Sequence, residues 1–180
     1  MLVMVGASAS GKTEIAKILI KSYRFQKMVT YTTRPIRPDE SDGVDYHFLT
    51  LDDFLLKQSR GEFIETVQYN GNLYGTAFSD TEDDKVLIVD PKGANVLHAK
   101  LGSDVVLFYL EADEHTRARR MKTRGDHLRD IQRRIEKDRD RFTKANLDHI
   151  DYVLDTNKAS LKSLARTVYT LYTKHIKKTI

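Results

Sequence analysis

The stretch Val3-Met4-Val5-Gly6-Ala7-Ser8-Ala9-Ser10-Gly11-Lys12-Thr13-Glu14-Ile15 begins apolar, turns on small residues, and ends with a charged helical pattern. Gly6 to Thr13 matches G-x-x-x-x-G-K-[ST] in full, with a strand-like run before it and a helix-like run after it. Glycines let the backbone turn its N–H groups inward around a phosphate, and the following helix adds its positive end. Residues Gly6, Ala7, Ser8, Ala9, Ser10, Gly11, Lys12 and Thr13 are therefore the expected nucleotide-phosphate cradle. Lys12 is expected at the β- and γ-phosphates and Thr13 at Mg²⁺. Such a loop does not by itself choose among ATPase, GTPase and kinase.

Working outward, short apolar runs alternate with helical patterns, which predicts an α/β fold with a parallel sheet core flanked by helices. Strands are expected at Leu2–Val5, Val86–Val89, Val105–Leu110 and Tyr152–Leu154. Helices are expected over Lys12–Ser22, Gly93–Lys100, Glu114–Lys122, Leu128–Ala145 and Lys158–His175. The segment from about Tyr31 to Asp80 breaks this rhythm with Pro35, Pro38 and Gly43, a short helix near Leu51–Gln58, and the alternating run Phe63–Val67. It reads as a small, mostly β insertion. The expected organisation is one domain over 1–180, with a core of 1–30 and 81–180, an insertion of about 31–80, and a lid of about 120–136.

Composition narrows the function classes. The 180 residues carry a net charge of +4 and contain no cysteine, which excludes a disulfide framework and a thiolate metal site. No run approaches the ~20 apolar residues of a membrane span, and Leu2–Val5 is too short for a signal sequence, so a cytoplasmic protein is expected. Between Arg117 and Lys144 stand 12 Lys/Arg against 5 Asp/Glu. Glu136, Asp138 and Asp140 interrupt this cluster and no aromatic interleaving provides a stacking platform, which argues against nucleic acid.

Two further stretches decide the acceptor. Thr30-Tyr31-Thr32-Thr33-Arg34-Pro35-Ile36-Arg37-Pro38-Asp39-Glu40 with Asp42-Gly43-Val44-Asp45-Tyr46-His47-Phe48, and "GEFIETVQYNGNLYGTA" from Gly61 to Ala77, resemble the signature of the guanylate kinases. With the phosphate loop and the Arg-rich lid, the resemblance spans nearly the whole chain. It implies transfer of the γ-phosphoryl group of MgATP to GMP or dGMP, with no nucleic-acid or membrane partner; the oligomeric state is left open. Arg34, Arg37, Tyr46 and Tyr74 are implied as the acceptor-phosphate clamp, and guanidinium forks suit phosphate oxygens. Glu65 is implied as the base reader, with Thr30 and Thr76 at the family's two hydroxyl positions. A carboxylate accepts from both guanine N1–H and the N2 amine, whereas adenine presents an acceptor at N1. Asp90 matches the second carboxylate of a family Asp-x-Asp whose first position is Ile88 here. Arg120, Arg124 and Arg134 are implied as lid arginines that join Lys12 in neutralising the transferring group. Arg117, Arg119 and Arg133 are expected in solvent, and Thr156 stands where the family has an asparagine beside the donor adenine. Two other readings share some of these features: a related kinase for a sugar bisphosphate, and a non-catalytic guanylate kinase-like binding module.

Overall fold

The fold is described from a computed structural model, which covers residues 1–38, 40–69, 71–78 and 81–179. Asp39 of the clamp motif and Asp80, the expected far end of the insertion, lie outside the described residues.

The first sheet has the order β2-β7-β1-β8-β9, with every pairing parallel. Its strands are β1 (Leu2–Val5), β2 (Gln26–Lys27), β7 (Lys85–Ile88), β8 (Val106–Glu111) and β9 (Tyr152–Asp155). β1 lies at the centre, where both faces are covered, and all four of its residues are buried. This accounts for its unbroken Leu-Val-Met-Val run, since a strand covered on both faces has no solvent side to alternate towards. Leu2 and Met4 face a core that contains Ile15, Leu19, Phe108 and Val168, while Val3 and Val5 face one with Ala94, Leu97 and Leu107. Helices α1 (Lys12–Tyr23) and α6 (Leu161–Thr179) contribute to the first of these cores, and α3 (Pro91–Leu101) to the second.

The second sheet has the order β4-β3-β6-β5, from β3 (Tyr31–Thr32), β4 (His47–Phe48), β5 (Phe63–Tyr69) and β6 (Asn72–Ala77). Helix α2 (Leu51–Ser59) packs on it through Phe54, whose ring stacks on Phe63 at 4.6 Å. Thr50 caps α2 by accepting from the Asp53 N–H at 3.1 Å, which explains why the helix starts one residue later.

Helices α4 (Glu114–Thr123) and α5 (Leu128–Arg141) are joined by a turn through Gly125. Sequence periodicity extends α5 to Ala145, but it ends at Arg141. The Asn146 side chain donates to the carbonyls of Asp140 at 2.6 Å and Arg141 at 3.0 Å, satisfying acceptors that a continuing helix would have used. Among the described residues, no helix is long and apolar enough to cross a membrane.

Candidate active site

The phosphate loop joins the end of β1 to α1, at the edge where parallel sheets bind ligands. At Gly6 a Cβ would lie 2.4 Å from the Leu110 carbonyl oxygen and 2.8 Å from Ser10 Oγ, so only glycine lets β1 lie this close to β8. Gly11 caps α1 with φ +104°. Ala9 also stands in the left-handed region, at φ +60°, a conformation that costs a non-glycine residue roughly 1–2 kcal/mol.

Lys12 Nζ donates to the carbonyls of Gly6 at 2.6 Å and Ala7 at 2.8 Å. Burial pulls its pKa down to about 8; Asp138 pushes it up and Arg117 down. An ammonium short of water is a strong site for an anion.

Helix α5 holds this loop. Asp138 Oδ2 accepts from the Ser8 N–H at 2.7 Å and lies 3.4 Å from the Arg117 guanidinium. Arg117 is 4% exposed and Asp138 7% exposed. The expectation of a solvated Arg117 is thus overturned: its place on α4 turns it towards the phosphate loop, where Asp138 compensates its charge. Arg119 and Arg133 are exposed, as expected.

Thr156, to which the sequence assigns no base-reading role, is tied to the phosphate loop. It is fully buried, donating from Oγ1 to the Ser10 carbonyl at 2.8 Å. Arg120 donates to the carbonyls of Ala9 at 3.1 Å and Thr156, and to Thr156 Oγ1 at 3.2 Å. Threonine in this position knits the loop to the end of β9 and leaves no polar atom for a base.

A cleft of 730 Å³ opens between the two sheets. It brings together Thr13, Thr30, Tyr46, Glu65, Tyr74, Thr76 and Asp90, from positions spread over nearly 80 residues of chain. Glu65 and Thr76 pair across β5 and β6, and Thr76 Oγ1 donates to Glu65 Oε1 at 2.8 Å. A bulge between Phe63 and Glu65 shifts the register there. Burial pushes the Glu65 pKa up, the Thr76 hydrogen bond pulls it down, and the Asp90 charge raises it further. Tyr46 and Tyr74 meet edge to face at 6.0 Å.

Other expected residues are held elsewhere. Arg34 Nη2 donates to both oxygens of Glu40, at 2.7 and 2.9 Å, which raises its pKa, and its guanidinium lies 5.6 Å from the Tyr46 ring centre. Arg37 is exposed, and its backbone N–H donates to the same Glu40 at 3.0 Å. Arg124 and Arg134 converge on Asp126, at 2.7 and 3.3 Å, in the turn between α4 and α5. Asp90 caps α3 by accepting from the Gly93 N–H at 2.8 Å, and its second oxygen binds Arg141.

Sequence reasoning missed Asp138 and Arg141. Their signal was a shared helical face three residues apart, hidden in a run of alternating charge.

The family model for guanylate kinase matches residues 1–170. The chain belongs to the guanylate kinase family. Curated guanylate kinases related to it include that of Syntrophus aciditrophicus, 32% identical over 85% of this chain and 76% of the relative. That of Thermotoga maritima is 34% identical over 86% and 77%. That of Nitrosomonas europaea is 31% identical over 100% and 92%. The crystal structure of guanylate kinase from Anaplasma phagocytophilum superposes with a TM-score of 0.67 at 22% identity, covering 97% of this chain and 84% of that one. A gluconokinase from Sinorhizobium meliloti shares the fold at a TM-score of 0.52 and 13% identity.

Proposed function

We propose that this chain transfers the γ-phosphoryl group of ATP to GMP and dGMP, with the acceptor in the cleft between the sheets. The observation that carries this reading is the Glu65–Thr76 pair, which faces the same cleft as Thr13 of the phosphate loop. The Glu65 carboxylate takes the two adjacent N–H donors of guanine; Thr30 and Thr76 supply hydroxyls beside it. Arg34, Arg37, Tyr46 and Tyr74 hold the acceptor phosphate, and Arg34 exchanges Glu40 for it. The second sheet, within about 31–80, acts as the acceptor-binding unit, and about 120–136 acts as the lid that carries Arg120, Arg124 and Arg134.

An oxygen of the acceptor phosphate attacks the γ-phosphorus in line, and the bond from that phosphorus to the β,γ-bridging oxygen breaks. The acceptor dianion is already a nucleophile, so no general base is needed. The loop N–H groups and Lys12 orient the donor and take up charge that gathers on its β-phosphate. Arg120 keeps the loop in shape through the Ala9 carbonyl, and the lid excludes water that would otherwise hydrolyse the donor.

The donor atoms present fit Mg²⁺. Thr13 offers one exposed hydroxyl on the cleft, and Mg²⁺ characteristically takes one or two protein oxygens and completes its shell with phosphates and water. Bound there through Thr13, the ion would neutralise phosphate charge.

The test is ADP release with MgATP and each of GMP, dGMP, AMP, CMP and UMP, for the parent chain and Glu65→Gln. Turnover is expected with the guanine nucleotides alone. The substitution turns one acceptor into a donor facing a guanine N–H, which costs ~1–3 kcal/mol, a loss of roughly 5- to 150-fold in kcat/KM. Equal turnover of AMP and GMP would overturn the reading.

A further inference from the structure

We infer that Arg141 is a phosphate-binding residue of the transfer zone, in addition to the expected lid arginines. This rests on reading the cleft as the place where ATP and the acceptor meet. Among the described residues, Arg141 is the one arginine that lines the cleft, together with Thr13 of the phosphate loop and Asp90. The expected lid arginines are engaged differently: Arg120 is bound to loop carbonyls, and Arg124 and Arg134 share Asp126.

Three observations fix Arg141 in place. It is the last residue of α5, where the helix C-terminus favours a cation. Three residues earlier, on the same face, Asp138 ties α5 to the Ser8 N–H. The Arg141 guanidinium and Lys12 Nζ each lie 5.8 Å from the centre of the Phe142 ring, so one ring is flanked by both cations. Arg141 is thereby carried by a helix anchored to the donor loop, and its position does not depend on movement of the lid tip.

Its partner is a carboxylate, as expected of a phosphate site with a stand-in anion. Asp90 uses one oxygen to cap α3 and the other to bind Arg141. Both side chains remain well exposed, at 48% for Arg141 and 30% for Asp90. An ion pair of that exposure adds little to stability. A phosphoryl group arriving from the Thr13 side would offer the fork a second set of oxygens. Ile88 lines the same cleft, at the first position of the Asp-x-Asp that the resemblance implies, and brings no charge there. Of the three lysines on the cleft, Lys17 pairs with Glu14, Lys27 donates to the carbonyls of Val44 and Asp45, and Lys92 stands exposed on the first turn of α3; each offers a point charge rather than a fork.

The test uses the full chain with Arg141→Gln and Arg141→Lys, measuring kcat and both KM values in the ADP-release assay, and Tm. Arg141→Gln is expected to lower kcat about 100-fold. Its Tm should move by no more than about 4 °C, the span of a lost exposed pair. Arg141→Lys, which keeps the charge but loses the fork, should recover about tenfold of that loss. If Arg141→Gln leaves kcat and both KM values within about twofold of the parent, the inference fails. It also fails if Tm drops well beyond that span and lysine restores nothing, because Arg141 is then structural. A parent chain that turns over no nucleoside monophosphate would instead remove the reading on which the inference rests.

Discussion

Raising the pH from 6.5 to 9 should change how this chain binds ATP, and Lys12 is the reason. Burial lowers its pKa from 10.5 to about 8, a difference worth roughly 3 kcal/mol against the charged form. A bound triphosphate restores the preference for ammonium. At pH 6.5 Lys12 is protonated with or without nucleotide, so binding takes up no proton there. At pH 8 about half of the free protein carries a neutral Lys12, and binding should take up about half a proton, rising to about 0.9 at pH 9. Calorimetric titration of MgATP in two buffers of different ionisation enthalpy measures this number directly. The nucleotide's own phosphates carry no proton at pH 8 or 9, and a titration with GMP alone serves as the control. Affinity should fall towards tenfold per pH unit above 8. Binding enthalpies independent of buffer at both pH 8 and pH 9 would refute the argument. The same shift has a sign for folding. The unfolded chain holds this proton up to 10.5 and the native one only to about 8, so without nucleotide the Lys12 contribution to stability rises with pH across that window. Above pH 10 the buried phenol of Tyr172, pushed up by desolvation, works the other way, because the native state retains a proton that the unfolded chain loses.

Other outcomes follow from the loop itself. Ala9→Gly should relieve the left-handed strain and raise stability by about 1 kcal/mol or less, since glycine also loosens the unfolded chain. Thermal melting should show Tm rising by up to about 4 °C, and an unchanged or lower Tm would contradict it. Thr156→Val keeps the shape of a fully buried residue but removes the hydrogen bond to the Ser10 carbonyl, at an expected cost of ~1–3 kcal/mol. Because Arg120 donates to the Thr156 hydroxyl that is removed, the KM for ATP should rise more than that for GMP, which initial-rate kinetics would resolve. Lowering the pH should weaken GMP binding earlier than an ordinary glutamate would predict, because burial raises the pKa of Glu65; equilibrium titration from pH 7 downward checks this.

The phosphate loop and the strands around it were legible because each is local. A run of consecutive residues carries its own periodicity, and Leu2–Val5 and the start of α1 at Lys12 stand where they were expected. The pairing of Glu65 with Thr76 was less open to reading, since a bulge separates the simple alternation of the strand from its true register. Charged residues were the hardest. Arg117 and Arg119 are two positions apart on one helix, yet one is buried against Asp138 and the other is in solvent. Composition treats them alike, and only the packing of α4 against the loop separates them. Asp138 was read as an interruption of a basic cluster; it is the cluster's link to the nucleotide loop. The Arg34–Glu40 pair was concealed for a related reason: the quoted stretch contains both residues, but nothing in their order says that one holds the other.

The central place of β1 in the sheet has a consequence for synthesis on the ribosome. β1 is made first, yet its neighbours are β7 and β8, with Leu2 opposite both Val86 and Val106. At ~5–20 residues per second the first strand waits several seconds for either partner, and the loop that follows it cannot close until both have emerged. Nucleotide therefore has nothing to grip on the nascent chain until β8 has been translated. Substitutions that weaken the pairing of β1 with β8 should consequently reduce the yield of folded protein more than they reduce the activity of the molecules that do fold.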